Sequence, residues 1–87
     1  MPFLPLAHGG IKPLRACWVR VVVDDRTTDA RELQPGEDIV LEAQRSIVVR
    51  AGDAGALSIE LNGRVLPPLG LKGQVVERRF TAGGTAE

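Results

Sequence analysis

The sequence predicts an all-β fold, a small antiparallel β-sandwich of the Ig-like or Greek-key type with about seven short strands. Short runs that alternate apolar and polar residues recur along the chain, and Gly, Pro and Asp turn signals separate them at intervals of roughly 8 to 12 residues. No segment repeats apolar residues with the period of about 3.6 that an amphipathic helix shows. Two Phe, one Trp and no Tyr leave Val, Leu and Ile to fill the core.

Residues 1–13 are predicted to be a lead-in segment or an edge strand. They hold three of the six prolines and the adjacent Gly9 and Gly10, which exclude a helix and disfavour a long central strand. His8 in this segment is expected to be exposed to solvent. Residues 81–87 are expected to form a flexible tail, so that one β domain covers residues 14–80.

The β-branched segment 14–24 is predicted to contain a central strand. Because side chains alternate between the two faces of a strand, Cys17 and Val19 share one face, and Trp18 and Arg20 share the other. The polar residues that follow are expected to form a turn before a short strand. Later strands are expected in the runs 39–43, 47–50, 57–61 and 74–80.

Two turns have specific signals. Pro35-Gly36 suits the central positions of a type II turn, since Gly tolerates the positive φ that the turn requires. Asn62-Gly63, between alternating apolar residues, predicts a β-hairpin. Gly52 and Gly55 are expected to adopt unusual dihedral angles.

Composition argues against several classes of protein. Eleven basic and eleven acidic residues give a formal net charge of zero, which makes nucleic acid a poor partner. One Cys excludes an internal disulfide, and one Cys with one His cannot form an ordinary zinc site. The chain is therefore expected to use no metal and no cofactor. It also has no run of about 18 to 20 apolar residues and no secretory signal pattern.

Two groups of residues suggest catalytic or metal-binding chemistry, and each has a simpler structural interpretation. Cys17 and His8 have no evident third group to orient them as a nucleophile and base, and a buried Cys17 is the preferred interpretation. Asp24, Asp25 and Asp29 do not have the spacing of a known calcium loop, and they are expected to cap turns by bonding to their own backbone. No acid, base and nucleophile set is evident, so we expect that the protein is not an enzyme.

Trp18 could be an exposed recognition aromatic, but its position among valines favours a core or half-buried anchor. Arg78 and Arg79, with Arg45 and Arg50, could form a basic patch for a carboxylate or phosphate group. Ordinary solubilising charge at strand edges is the simpler explanation of these arginines.

Ordered motifs over about residues 14–80 resemble the RodZ C-terminal domain family. They are ACWVRVVVD at 16–24, LQPGE at 33–37, RAGDAGALSIELNGRVLPPLG at 50–70 and GQVVERRF at 73–80. Asp53 stands where the family usually has Asn, and a tight turn accepts it because Asp tolerates the left-handed region.

The resemblance implies the outer β domain of a bacterial cell-shape protein. Members of that family join a cytoplasmic helix-turn-helix domain and a membrane-spanning helix to this domain, which lies on the periplasmic side of the cytoplasmic membrane, and they link an actin-like filament to the cell-wall elongation machinery. The expected function is therefore non-enzymatic binding of morphogenetic or wall-synthesis proteins. The family implies no catalytic residue, and membrane contact would come only through a segment absent from this chain.

Partner binding is expected at an apolar tip beside Pro67-Pro68 and at two arginines, namely Leu66, Leu69, Leu71, Arg78 and Arg79. Strand addition at a sheet edge is one expected mode of binding, and pairing of an edge with a second copy of the chain is another. If Leu69 belongs to the tip, Leu69→Asp should weaken binding and leave the melting temperature almost unchanged. The alternative function is a glycan- or peptidoglycan-binding module, although such modules usually present more aromatic side chains.

Overall fold

Eight strands and one short 3-10 helix form residues 7–81, the part of the chain that the computed structural model describes. The helix covers Ala54–Ala56. The strands are β1 Ala7–Pro13, β2 Cys17–Val23, β3 Arg26–Leu33, β4 Ile39–Ala43, β5 Ser46–Ala51, β6 Leu57–Leu61, β7 Arg64–Val65 and β8 Val76–Thr81. Residues 7–81 include no helix with the length and apolar character that a membrane crossing needs.

The strands form two four-stranded antiparallel sheets that pack face to face. Sheet A has the order β4-β1-β6-β7, and sheet B has the order β3-β2-β5-β8. Alternate side chains of the inner and well-packed strands enter the core, as in the buried positions Val19 and Val21 of β2 and Ile39 and Leu41 of β4. The predicted all-β sandwich is confirmed, with eight strands in place of about seven.

The first strand lies inside its sheet, contrary to the prediction of a lead-in or an edge. β1 pairs with β4 on one side and with β6 on the other. Gly9 permits this position, because a Cβ atom there would lie 1.8 Å from the carbonyl oxygen of Glu60 in β6. Gly9 therefore reflects a close backbone approach between β1 and β6. Residues 1–6 and the tail 82–87 lie outside the described residues, so the flexible tail stays a prediction.

The turn after β2 is shorter than expected, because most of the polar segment belongs to β3. Only Asp24 and Asp25 form the turn, with φ of 50° and 68°. The other two turns match the sequence: Gly36 has φ of 95°, and Asn62-Gly63 joins β6 to β7 with φ of 52° and 81°.

The connections gather at two ends of the sandwich. We call the end with the tight turns 24–25, 44–45 and 62–63 the turn end, and the end with segments 14–16, 34–38, 52–56 and 66–75 the loop end. Ala7 pairs with Ala43, and Thr81 pairs with Ser46, on either side of the turn 44–45. Both limits of the described chain therefore lie at the turn end, opposite the loop end.

Candidate interaction site

The segment Gly52 to Ala56 holds the loop end together through its backbone. The amide of Gly52 donates to the carbonyl of Trp18 at 2.8 Å, and the amide of Ala54 donates to the carbonyl of Gln74 at 2.8 Å. The carbonyl of Ala56 accepts from the amide of Leu14 at 2.6 Å. Strand β2, the β7–β8 loop and the β1–β2 loop thus meet on one five-residue segment.

Gly55 allows the β7–β8 loop to lie directly on this segment. A Cβ atom at Gly55 would lie 2.7 Å from the amide nitrogen of Lys72 and 2.9 Å from its Cα. The expectation of unusual dihedral angles at Gly52 and Gly55 is wrong, since the glycines with positive φ among residues 7–81 are Gly36, Gly63 and Gly73. Gly55 instead provides space, whereas a Cβ atom at Gly52 would lie 3.5 Å or more from Trp18, an ordinary contact.

Asp53 joins two loops with its carboxylate. It accepts a hydrogen bond from the Gly73 amide at 2.8 Å and forms an ion pair with Arg15 at 3.3 Å. The Gly73 N–H is the main cause that lowers the pKa of Asp53, and the Arg15 guanidinium adds to it. The backbone of Asp53 is extended, with φ of −142°, so the expected left-handed conformation is wrong.

Four residues with exposed apolar side chains lie in the stretches of chain whose backbone contacts this segment. Each of the four either contacts the segment 52–56 through its own backbone or is next in sequence to a residue that does. They are Leu14, Trp18, Leu71 and Val75. Their exposed fractions are 60%, 43%, 77% and 58%. We call these four residues the loop-end surface. Val40 and Val65, the other large exposed apolar residues among 7–81, lie on sheet A.

Trp18 was predicted to be a core or half-buried anchor, and with 43% of it exposed it is not part of the core. It lies on the outer face of sheet B, because Cys17 and Val19 on either side of it point into the core. Cys17 is buried as predicted, and its Sγ lies 3.4 Å from the Trp18 carbonyl.

The five residues predicted to bind a partner do not form one surface. Leu66 and Leu69 pack against the core, whereas Leu71 is exposed. Arg78 is the cross-strand partner of the buried Val49, so its side chain leaves β8 on the core-facing side of sheet B. Its guanidinium donates a hydrogen bond to the Leu69 carbonyl at 3.3 Å. Arg79 is the next residue on β8 and points to the outer face.

The outer face of sheet B places Arg20 beside Arg50, a proximity that was not predicted from the sequence. Arg20 of β2 and Arg50 of β5 are direct cross-strand partners, and Glu77 of β8 is the next partner of Arg50. With Val22 and Val48 they line a shallow depression of about 190 Å³. The outward alternation of Trp18 and Arg20 was the available signal for this face.

The remaining candidates are separated or have structural roles. Cys17 lies toward the loop end and His8 toward the turn end, where the His8 carbonyl accepts from Asn62. Among residues 7–81, no group of three His, Cys, Asp or Glu side chains is placed to hold a metal ion.

Asp24 hydrogen-bonds to the β4–β5 connection, and not to its own turn as expected. Its carboxylate accepts from the amides of Gln44, Arg45 and Ser46 at 2.9, 2.6 and 3.1 Å. These N–H groups, led by that of Gln44, lower the pKa of Asp24, and the Arg45 charge adds to the effect. Asp24 thereby holds the β2–β3 turn of sheet B to the β4–β5 connection, which crosses from sheet A to sheet B.

The described strands coincide with a known domain family. A model of the RodZ C-terminal domain matches residues 11–81, from within β1 to the end of β8. No curated protein and no solved structure matches the chain.

Proposed function

The chain belongs to the RodZ C-terminal domain family, and on that premise we propose that it is a non-enzymatic interaction domain of a RodZ-like cell-shape protein. It faces the cell envelope and binds a protein of the cell-elongation or wall-synthesis machinery.

The main support for this proposal is the exposure of apolar side chains on the loop-end surface. Exposed apolar residues that occur singly are ordinary, but a group of them beside an aromatic residue is typical of a protein-binding site. Leu71 and Val75 belong to a loop that two backbone contacts hold to the segment 52–56. The surface is therefore preorganised, which reduces the entropy lost on binding.

The position of this surface also supports the proposal. Ala7 and Thr81 lie at the turn end, so the loop-end surface is directed away from both limits of the described chain. A partner at the loop-end surface therefore does not contact Ala7 or Thr81.

Edge pairing is the less favoured mode of binding at β3. This strand is an edge of sheet B and carries Arg26, Asp29, Arg31 and Glu32. Charged side chains along an edge are a common protection against pairing with another chain. We therefore place binding at the loop-end surface.

Site-specific photocrosslinking tests the proposal. A photoreactive amino acid at Leu71, in a RodZ protein whose C-terminal domain is replaced by this chain, should crosslink to an elongation or wall-synthesis protein in rod-shaped cells. The matched control places the same amino acid at Val40, which is equally exposed at 79% but lies on β4 of sheet A. The control should give no such product.

Two outcomes would contradict the proposal. Equal crosslinking from Leu71 and Val40 would mean that the loop-end surface is not the binding site. Sedimentation of the purified domain with protein-free sacculi, lost in Trp18→Ala, would instead favour the glycan- or peptidoglycan-binding alternative, which the exposed Trp18 makes worth testing.

A further inference from the structure

The arginine pair on the outer face of sheet B forms no ion pair with any other residue of the described range 7–81. Arg20 and Arg50 are directly opposite each other on β2 and β5. The ion pairs among residues 7–81 involve Arg15, Arg31 and Arg45, and not these two arginines. Like charges at opposite positions of an antiparallel pair lower stability. The pair therefore has a cost, which Glu77, the β8 partner of Arg50, offsets only from one side and without an ion pair.

The surroundings of the pair form three rows across the sheet. Trp18 lies two residues before Arg20 on the same face, and Val22 lies two residues after it. Val48 is the cross-strand partner of Val22 and is half-buried, as Val22 is. An aromatic row, an arginine row and a valine row thus follow one another along the strand direction.

We propose that this outer face binds a carboxylate side chain in an extended segment of the protein partner. The inference rests on the proposed function, in that the ligand is part of a protein. The planar guanidinium groups of Arg20 and Arg50 suit bidentate hydrogen bonds to one carboxylate. We call Trp18, Arg20, Val22, Val48 and Arg50 the carboxylate site.

The spacing of the rows defines the segment that fits. Successive rows are two residues apart on β2, and an extended peptide also presents every second side chain to the same side. An acidic residue over the arginine row then places apolar side chains, two positions before and after it, over the aromatic and valine rows. The recognised pattern is apolar, any residue, acidic, any residue, apolar.

The charges on the face favour a single carboxylate over a polyanion. Glu77 is the β8 partner of Arg50, and Glu32 is the β3 partner of Trp18. Glu77 ends the arginine row and Glu32 lies beside Trp18, while Arg79 is the β8 partner of Val48 on the same face. The two carboxylates would repel a phosphate backbone, which presents several negative charges in succession.

The test uses two capped heptapeptides, TVTETVT and TVTQTVT, which differ only in the central side chain. Binding to the purified 87-residue chain is followed by the fluorescence of Trp18, the one tryptophan present, and by amide chemical shifts. TVTETVT at millimolar concentration should shift the amides of Arg20 and Arg50. Arg20→Gln and Arg50→Gln should each weaken binding by about five- to tenfold, as expected for loss of a charge-assisted hydrogen bond.

Arg64→Gln is the matched control, because it removes the same charge from β7 of sheet A. It should leave the affinity unchanged, and the melting temperatures of Arg20→Gln and Arg50→Gln should not fall below that of the parent chain. Equal binding of both peptides, an equal loss in Arg64→Gln, or no shift with TVTETVT would each overturn the carboxylate site.

The two proposals can fail separately. Crosslinking from Leu71 that persists in Arg20→Gln, together with equal binding of the two heptapeptides, would retain the loop-end surface and reject the carboxylate site. Binding of TVTETVT without a specific crosslink from Leu71 would do the reverse.

Discussion

Arg20 and Arg50 occupy directly opposite positions on two neighbouring strands, so two positive side chains start from adjacent points of one sheet face. On the other side of Arg20, the β3 partner is the uncharged Ala30. The repulsion within the pair is therefore not relieved from β3.

A charge reversal at Arg20 should stabilise the domain. Arg20→Glu replaces a like-charged pair with an opposite-charged one, and each effect contributes roughly 0.2 to 1 kcal/mol. We expect the free energy of unfolding, measured by urea denaturation, to rise by about 0.5 to 1.5 kcal/mol. Arg64→Glu, whose β6 partner is Leu61, should change it little. A lower stability of Arg20→Glu would show that the pair is not repulsive.

Asp24 should make stability depend on acid pH. Because the N–H groups of Gln44, Arg45 and Ser46 lower its folded-state pKa below the ordinary 3.8, its contribution is complete above that value. The contribution is lost as pH falls through the folded-state pKa. The stability difference between the parent chain and Asp24→Asn should therefore be largest near neutral pH and should shrink below about pH 4.

Asp25→Asn is the control for this measurement. The side chain of Asp25 is exposed, and its ion pair with Arg45 is 3.4 Å long. An exposed pair of this kind contributes little to stability. Thermal unfolding at several pH values should show no comparable difference for Asp25→Asn, and an equal difference for both variants would contradict the role of Asp24.

Gly9 and Gly10 should respond differently to the same substitution. A Cβ atom at Gly9 would collide with the Glu60 carbonyl, so Gly9→Ala must displace β1 from β6 and should cost several kcal/mol, about 3 or more. At Gly10 the nearest atom is the Ile39 carbonyl oxygen at 3.2 Å, and a small adjustment suffices. Denaturant midpoints should thus fall much further for Gly9→Ala. Similar midpoints would argue against β1 as a tightly packed inner strand.

Substitutions in the β7–β8 loop should distinguish the half-buried Leu69 from the exposed Leu71. Leu69 packs against the core, so Leu69→Asp should destabilise by about 1 to 3 kcal/mol and lower the melting temperature by several degrees. Leu71 is 77% exposed, and Leu71→Asp should change stability by less than about 0.5 kcal/mol while it weakens partner binding. This expectation replaces the one drawn from sequence for Leu69. A large loss in Leu71→Asp would assign that residue to the core.

Local signals predicted local structure well. The left-handed angles at Asn62-Gly63 depend on two adjacent residues, so this dipeptide alone predicts the turn. The place of β1 could not be predicted in this way. It depends on the contact of Gly9 with β6, more than 50 positions along the chain, and a Pro- and Gly-rich segment suggests an edge when that contact is unknown.

The candidate sites were partly predictable. Period-two alternation alone separates Arg78 from Arg79 and joins Trp18 to Arg20, and the charge of Arg20 marks their common face as the outer one. Which strand lies beside β2 is a matter of topology. For that reason the pairing of Arg20 with Arg50, and the meeting of Leu14 with the segment 52–56, emerge only from the folded structure.

The inner position of β1 has a mechanical consequence. Tension applied between Ala7 and the loop end acts along the axis of β1, which has five paired positions with β4 and five with β6. Hydrogen bonds between antiparallel strands run perpendicular to that axis, so the tension loads them together in shear and does not open them one after another. An edge strand would resist with one row of bonds, whereas β1 resists with two. Tension in this direction must therefore break both rows of bonds before β1 leaves the sheet.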